Sequence, residues 1–335
     1  MTRTTLLAGL LLGVYVAASA PAVQAQQWPA RPIEIAVWAS AGGGTDLVNR
    51  LMAKAMEPHL KTKINVVNRT GGGGGVAMDH VWSQPHDGYS ILGASEAMQN
   101  ITVMGFHPTQ TKDWRWYMVA GAPASLSVRA NSPYKTIDDL IKAAQANPGK
   151  VNVAHCAIGC VFHLKWIAFA DAAKIKVNFV PYEGSAPAMV AAMSGEADAV
   201  ISSISEQAEY IKAGRLRNLG MVEMTPFEFA GKGSLPALGA RFPDIAKMPA
   251  RQWLGFAVPA DTPKAVTDLL DAAFLKAMDD PELKKIAGER YLSLFGLHGD
   301  KSMAALKSME SAVSWKLQEL GVAKVSPEKF GIPKP

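Results

Sequence analysis

Two glycine-rich turns near the start of the chain have the residue types that bind an anion through the backbone. One is Ala41-Gly42-Gly43-Gly44-Thr45-Asp46, and the other runs from Gly71 to Gly75. Each follows a short apolar segment typical of a strand and begins a segment typical of a helix. Glycine lets the backbone approach a ligand closely, and a helix N-terminus presents unpaired N–H groups at the positive end of its dipole. If the two strands are neighbours in a parallel sheet, both turns lie at one edge and can bind the same small anion.

Nucleotide binding is not indicated by either turn. The first lacks the Lys-Ser/Thr ending of a P-loop, and neither has the spaced glycines of a dinucleotide-binding fold. The net charge of +5 comes without a basic run or a stripe of lysine and arginine interleaved with aromatic residues. We therefore expect no nucleic-acid partner; a mildly positive protein suits small anions.

The segment His155-Cys156-Ala157-Ile158-Gly159-Cys160 holds both cysteines of the chain. Three interpretations are open: a disulfide formed in an oxidising compartment, free thiols lining an apolar pocket, and a catalytic Cys–His pair or a metal site with His155 and His163. A hydrolase would also need an oriented base and a third group, and the sequence supplies neither clearly. We expect no metal and no cofactor.

The first 25 residues have the pattern of a secretory signal peptide. Arg3 precedes an apolar run from Leu6 to about Ala18, and Val23-Gln24-Ala25 resembles a cleavage site. The run is shorter than the roughly 20 residues that span a bilayer. The mature chain is expected to begin near Gln26 and to be soluble outside the cytoplasm; a retained membrane anchor is the weaker alternative.

Strand-like and helix-like segments alternate along the rest of the chain, which predicts α/β layers with mostly parallel sheets. The region 225–252 is rich in proline and glycine and is predicted to be an ordered loop. No linker separates two tandem domains, so segments 125–129 and 254–258 are predicted to cross between two lobes. The first lobe would comprise residues 26–127 and 256–335, and the second lobe residues 128–255.

The order of short motifs resembles that of the extracytoplasmic receptors of tripartite tricarboxylate transporters, the Bug family. The matching motifs are Trp28-Pro29-Ala30-Arg31-Pro32-Ile33, Gly42-Gly43-Gly44-Thr45-Asp46, Asn68-Arg69-Thr70-Gly71-Gly72-Gly73-Gly74, Asp87-Gly88-Tyr89, Pro148-Gly149-Lys150, Gly159-Cys160 with His163-Leu164, Val180-Pro181-Tyr182-Glu183-Gly184-Ser185-Ala186-Pro187-Ala188, Gly195 to Asp198, Ala213-Gly214-Arg215-Leu216-Arg217 and Trp253 to Pro263. The resemblance is collinear over essentially the whole mature chain. It implies a type II periplasmic-binding fold, two lobes joined by two strand crossovers, that closes on a small organic carboxylate and delivers it to a membrane permease.

The resemblance also implies a set of ligand-binding residues. Those of the first lobe are Trp38, Ser40, Ala41, Gly42, Gly43, Gly72, Gly73, Gly74, Ser95 and Glu96. Those of the second lobe are His155, Cys156, Gly159, Cys160, Tyr182, Gly184, Ser202 and Ser203. The structural alternatives are that these glycines only permit tight turns, that Trp38 is a buried core residue, and that Ser202 and Ser203 only start a helix.

Several positions depart from the pattern that the resemblance implies. His155, Cys156 and Cys160 replace serines, and thiols are poorer hydrogen-bond donors than hydroxyls. Glu96 stands where small hydroxyl residues are usual, and there it would repel a second ligand carboxylate unless protonated or paired. One hypothesis is that Glu96 recognises a cationic or hydroxyl group of the ligand; the alternative is a solvated residue at a helix start.

The functional prediction is a monomeric, non-enzymatic receptor. Two other functions stay open from the residues alone: a secreted hydrolase-like enzyme that uses Cys156 or Cys160, and a ligand sensor that presents its closed form to a membrane kinase.

Overall fold

A computed structural model describes residues 28–231, 233–248 and 250–335. The predicted signal peptide lies outside the described residues. None of the described helices is long and apolar enough to cross a membrane. The helices are α1 (Gly44–Leu60), α2 (Gly75–Trp82), α3 (Ile137–Ala146), α4 (Val161–Ala172), α5 (Ser185–Ser194), α6 (Ile204–Lys212), α7 (Lys264–Met278), α8 (Pro281–Glu289) and α9 (Gly299–Glu319). The strands are β1 (Ile33–Val37), β2 (Ile64–Asn68), β3 (Ser90–Ser95), β4 (Trp114–Gly121), β5 (Ala124–Arg129), β6 (Asn152–His155), β7 (Asn178–Pro181), β8 (Ala199–Ser203), β9 (Leu216–Met221), β10 (Phe227–Phe229), β11 (Gly233–Leu235), β12 (Leu254–Pro259) and β13 (Ser293–His298).

Two larger sheets carry the architecture. The first has the order β13-β4-β12-β3-β1-β2 and the second the order β7-β6-β8-β5-β9. We call the elements built on them the first lobe and the second lobe. This confirms the predicted α/β fold with two lobes.

The apolar segments that precede the glycine turns are adjacent parallel strands. Residue Ile35 of β1 is in register with Val66 of β2, and its side chain is almost fully buried. A helix follows each strand, as expected for parallel strands that need crossover connections. Both glycine turns therefore lie at the carboxyl edge of the first sheet, as the sequence predicts.

The chain passes between the lobes through neighbouring strands. The chain leaves the first sheet at the end of β4, Gly121, and enters the second sheet at β5. It leaves the second sheet at the end of β9 and, after residues 222–253, returns to the first sheet at β12. β5 belongs to the second sheet from Ala124 onward, and β12 belongs to the first sheet from Leu254. The exact division of the chain into lobes at residues 127 and 255 stays a prediction.

Three features differ from expectation. The sheets are mixed rather than mostly parallel: within the described residues, β1–β2, β1–β3, β6–β7 and β6–β8 pair in parallel, and the other strand pairs of the two larger sheets are antiparallel. The strands β4 and β13 were missed; β4 is buried on both faces and therefore lacks the alternating pattern of a half-exposed strand. The region 225–252 is not only loop, because it contains the hairpin β10–β11 and two short 3-10 turns.

Gly255 allows the central strands β12 and β4 to approach closely. A Cβ atom at this position would lie 1.9 Å from the carbonyl oxygen of Tyr117. We expect Gly255→Ala to lower the free energy of unfolding by about 3 kcal/mol or more, because a neighbouring backbone has to move. Urea denaturation measures this. Gly288→Ala in α8 is the control, since no atom lies within 4 Å of the added Cβ; equal stability of both variants would contradict the prediction.

Candidate functional site

The first glycine turn joins β1 to α1 and leaves the N-terminus of α1 without a side-chain cap from its own N-cap residue, Gly43. A carboxylate of the second lobe takes that role, because the Gly44 N–H donates to Glu206 Oε1 at 2.7 Å. A carboxylate at a helix N-terminus is stabilised both by the N–H group and by the helix dipole. The turn thus binds an anion through its backbone, and in this structure the anion is a side chain of the protein.

The second glycine turn joins β2 to α2 and depends on glycine for its shape. Gly71, Gly72, Gly73 and Gly74 all have positive φ values, between 57° and 123°. A Cβ atom at Gly74 would lie 2.3 Å from Cε of Met98, so the turn packs directly on the first lobe. The Gly71 N–H donates to Glu183 Oε2 of the second lobe at 3.1 Å.

Glu183 also contributes its backbone to the contact between the lobes. Its carbonyl oxygen accepts hydrogen bonds from the Ser40 backbone N–H at 3.0 Å and from the Ser40 hydroxyl at 2.6 Å. The next residue, Gly184, has a φ of 118°, and an added Cβ would lie 3.3 Å from the Ser40 nitrogen. The two lobes are therefore in direct contact across the edge that carries both glycine turns.

A cavity of about 20 Å³ lies between the lobes behind this contact. It is lined by Trp38, Ala39, Gly43, Gly44, Thr45, Ser95, Glu96, Cys156, Phe162, Gly184, Ser185, Glu206, Gln252 and Leu254. A volume of about 10–15 Å³ accommodates one water molecule. The structure is therefore a closed form whose cavity has to enlarge before an organic ligand fits.

Glu96 follows β3 and lines the cavity from the first lobe. Its carboxyl oxygen Oε1 accepts a hydrogen bond from the Val161 N–H, the first residue of α4 in the second lobe, at 3.4 Å. Its Oε2 has no hydrogen-bond partner among the described residues. Burial raises the pKa of Glu96 to about 8, partly offset by backbone N–H groups and reinforced by Glu206. The side chain is thus a buried carboxyl group that retains its proton at neutral pH.

The cysteine segment lies between β6 and α4. Cys156 and Cys160 form a disulfide with their Cα atoms 6.1 Å apart, and Cys156 lines the cavity. Neither sulfur is a free thiolate in this structure, which a cysteine nucleophile would require.

Two buried histidines flank the disulfide, His155 at the end of β6 and His163 in α4. The rings of His155 and His163 are stacked with their centroids 4.5 Å apart, and His163 Nδ1 accepts a hydrogen bond from the Gly159 N–H. Burial lowers the pKa of His155 to about 3, assisted by His163, and lowers that of His163 to about 4. In the described part of the chain, no group of three His, Cys, Asp or Glu side chains is placed to hold a metal ion.

The structure brings six of the predicted site residues to the cavity: Trp38, Gly43, Ser95, Glu96, Cys156 and Gly184. Trp38 and Ser95 are linked, because the indole N–H donates to the Ser95 hydroxyl at 3.2 Å. The other predicted site residues do not line the cavity in this closed form: Ser40, Ala41, Gly42, Gly72, Gly73, Gly74, His155, Gly159, Cys160, Tyr182, Ser202 and Ser203.

Three of the residues outside the cavity make other contacts. The Tyr182 hydroxyl donates to Glu196 at 2.7 Å, and its pKa is raised to about 12 by burial and by that carboxylate. Ser202 accepts a hydrogen bond from the Gln207 amide. Ser203 caps α6 through a reciprocal capping box with Glu206.

Eight cavity residues were missed from the sequence: Ala39, Gly44, Thr45, Phe162, Ser185, Glu206, Gln252 and Leu254. Glu206 had a recognisable signal, because the spacing Ser203-x-x-Glu206 after a strand is that of a capping box. Its second role on the N-terminus of α1 depends on the contact between the lobes and has no local signal.

Known proteins share both the sequence pattern and the fold. A family model described as "Tripartite tricarboxylate transporter family receptor" matches residues 48–304. The UPF0065 protein in the tcbD-tcbE intergenic region of Pseudomonas sp. strain P51 is 30% identical over 286 residues, covering 84% of this chain and 83% of the relative.

Two solved structures have the same fold at lower sequence identity. The periplasmic binding protein BugD is 23% identical, with a TM-score of 0.78, over 88% of this chain and 99% of BugD. MatC from Rhodopseudomonas palustris, solved with bound malate, is 20% identical, with a TM-score of 0.74, over 87% of this chain and 98% of MatC. The family match covers most of the chain, and the likeness to the two solved structures independently confirms the predicted periplasmic-binding fold. The chain is therefore a solute-binding receptor that belongs to the tripartite tricarboxylate transporter receptor family.

Proposed function

We propose that this receptor captures a small organic carboxylate between its two lobes and presents it to a membrane permease of a tripartite transporter. The observation that carries the proposal is the pair of glycine turns on adjacent parallel strands, each already holding a carboxylate through a backbone N–H. When the lobes open, Glu206 and Glu183 leave with the second lobe, so that a ligand carboxylate can take these donors. Charge-assisted hydrogen bonds of this kind are roughly twice as strong as neutral ones.

The same proposal covers the setting in which the receptor works. The signal peptide is removed after Ala25, and the mature protein is a periplasmic monomer. It binds its ligand without covalent chemistry; the disulfide between Cys156 and Cys160 supports this, since it leaves no free thiol for an enzyme mechanism. Mass spectrometry of the exported protein tests the cleavage, with a chain beginning at Gln26 as the expected result. Recovery of the ligand unchanged after incubation tests the absence of catalysis.

Carboxylate binding is tested by thermal unfolding of the mature protein with succinate, benzoate and 4-aminobutyrate. A ligand at about 100 times its dissociation constant adds about 2.7 kcal/mol, which raises the melting temperature by about 4 °C. At least one of these carboxylates is expected to do so. Failure of every carboxylate at saturating concentration, with stabilisation by an amine alone, would overturn the proposal.

Gly43→Ala tests whether the first glycine turn binds the carboxylate. Gly43 has a φ of −81°, which alanine adopts without strain. The added Cβ would lie 3.4 Å from the Ser40 carbonyl oxygen and 3.8 Å from Glu206 Oε1, where it crowds the approach to the α1 N-terminus. We expect an affinity for the best carboxylate that is about tenfold lower or worse, a loss of about 1.4 kcal/mol.

The matched control for this variant is Gly288→Ala, which lies in α8 and has open space around the added Cβ. Calorimetric titration of both variants measures the affinities, and thermal unfolding without ligand verifies that both are folded. An unchanged affinity in Gly43→Ala would place the carboxylate elsewhere.

A further inference from the structure

The cavity between the lobes is acidic. Its lining includes two carboxyl side chains, Glu96 from the first lobe and Glu206 from the second, and none of the described residues that line it is basic. A ligand carboxylate is attracted there only by backbone N–H groups. A second negative group on the ligand would face the Glu206 carboxylate without a counter-ion, which is unfavourable in a buried site.

Glu206 has its hydrogen-bonding capacity largely filled. It accepts from the Gly44 N–H through Oε1 and from both the N–H and the hydroxyl of Ser203 through Oε2. It therefore already supplies the negative charge that the N-terminus of α1 favours, and it needs no further donor from a ligand.

Glu96 is in the opposite situation. The residue is 8% exposed, its Oε2 has no hydrogen-bond partner within the described residues, and it forms no ion pair there. A buried polar atom without a partner costs free energy that a hydrogen bond to a ligand would recover. The charged groups that face it are Glu206 across the cavity and Arg251, which borders a second cavity of about 10 Å³ on which Glu96 also lies. Oε2 of Glu96 therefore lacks, among the described residues, a partner that a ligand can supply: an acceptor while the group keeps its proton, or an ammonium donor once that proton is released.

Aromatic rings complete the surroundings. Trp38 and Phe162 line the same cavity, one from each lobe. The faces of aromatic rings attract cations, and the attraction grows when water is excluded. A cavity lined by a carboxyl group and two aromatic rings has the residue types that recognise an ammonium group.

We propose that this receptor selects a small zwitterion, with the ligand carboxylate on the glycine turns and its protonated amine on Glu96 between Trp38 and Phe162. The inference rests on the proposed carboxylate-receptor function and adds to it the second recognition group. A ligand ammonium donates to Glu96 Oε2 and brings the positive charge that the lining lacks. Because burial holds a proton on Glu96 in the free protein, pairing with the ammonium releases that proton.

The test compares four probes with the same four-carbon length by calorimetric titration at pH 7: butyrate, 4-aminobutyrate, butylamine and succinate. We expect 4-aminobutyrate to bind at least about tenfold more tightly than butyrate or succinate. Titration in two buffers of different ionisation enthalpy should show release of about one proton for 4-aminobutyrate.

Glu96→Gln keeps the shape of the side chain and removes its charge, so it should abolish the preference for 4-aminobutyrate over butyrate and the proton release. Glu310→Gln is the matched control, because Glu310 is another carboxyl group whose burial raises its pKa, and it accepts from the Thr111 hydroxyl away from the cavity. This control should retain both the preference and the proton release.

The possible failures are distinguishable. If butyrate and 4-aminobutyrate bind equally, or neither binds, the zwitterion inference is overturned; in the first case the carboxylate-receptor function stands. If succinate binds most tightly, the protonated Glu96 donates to a second carboxylate and the inference is also overturned. If butylamine binds as tightly as 4-aminobutyrate and loses this affinity in Glu96→Gln, the ammonium site is supported and the carboxylate function fails.

Discussion

The Glu96→Gln variant is expected to be more stable than the unchanged protein at pH 7 and above, by about 3 kcal/mol at pH 7 and up to about 5 kcal/mol above pH 8. The physical reason is that Glu96 keeps its proton in the folded protein up to about pH 8, against an ordinary value of 4.5. Glutamine avoids the cost of burying the charge, and its side-chain oxygen can still accept from the Val161 N–H.

The direction of the pH dependence follows from proton uptake. Between pH 4.5 and about 8, the folded protein holds one proton that the unfolded chain has released. The free energy of unfolding therefore falls as the pH rises through this window and levels off above it. Urea denaturation at pH 4.5, 6, 7 and 8.5 measures this, and the curves of the variant and the unchanged protein should converge near pH 4.5. A constant difference at all four pH values would show that Glu96 is not the titrating group.

The second large effect is a loss of stability in acid that originates at the stacked histidines. His155 and His163 stay neutral in the folded protein down to about pH 3 and about 4, whereas an ordinary histidine takes up a proton near 6.5. Stability is therefore complete above pH 6.5 and is lost as the pH falls below it. At pH 4 each histidine is expected to cost about 3 kcal/mol.

A His155→Phe variant should remove about half of this acid sensitivity. Phenylalanine keeps a ring against His163 and Phe179 and removes the buried His155 Nε2, which has no partner in the described structure. It also removes the hydrogen bond from His155 Nδ1 to the Cys156 carbonyl oxygen, so about 1 kcal/mol is lost at neutral pH. Urea denaturation at pH 7 and pH 4.5 measures the slope, with exposed His59→Gln as control. If the pH dependence of the free energy of unfolding were unchanged in His155→Phe and reduced in His59→Gln, the acid sensitivity would not originate at His155.

Together these three groups bracket the pH of greatest stability. Glu96 lowers stability as the pH rises above 4.5, and the two histidines lower it as the pH falls below 6.5. Below pH 6.5 the loss of stability from the two histidines exceeds the gain from Glu96, and above pH 6.5 only the loss from Glu96 remains. The combined contribution of the three groups to the free energy of unfolding is therefore greatest near pH 6.5.

The parts of the fold that depend on local pattern were predictable from the sequence. The strand that ends at Val37 and the strand that ends at Asn68 are each followed by glycines and then a helix, so their placement at one sheet edge followed from chain order. β4 was missed because it is buried on both faces, which gives a run of apolar residues that resembles a buried helix as much as a strand.

The candidate site was only partly predictable, because it is formed by contact between elements distant in sequence. Glu206 is 162 residues from Gly44, to which it is bound, and nothing local to either residue indicates the pairing. Phe162 lies on α4, which is apolar on almost every side, so the sequence could not show which face lines the cavity. Glu96 was noticed because its residue type departs from the motif pattern, and such a departure remains visible without coordinates.

Among the described residues, three carboxyl side chains, those of Glu206, Glu183 and Glu96, accept from main-chain N–H groups of the other lobe, those of Gly44, Gly71 and Val161. A main-chain donor exists whatever side chain the residue carries, proline excepted, so a substitution disturbs it only through the shape of the backbone, as at Gly71, where φ is 123°. The acceptors, by contrast, are single side chains that one codon change can remove or move. If Glu96 selects the ligand as proposed, its replacement changes the chemistry of the ligand while the main-chain donors that join the lobes stay in place.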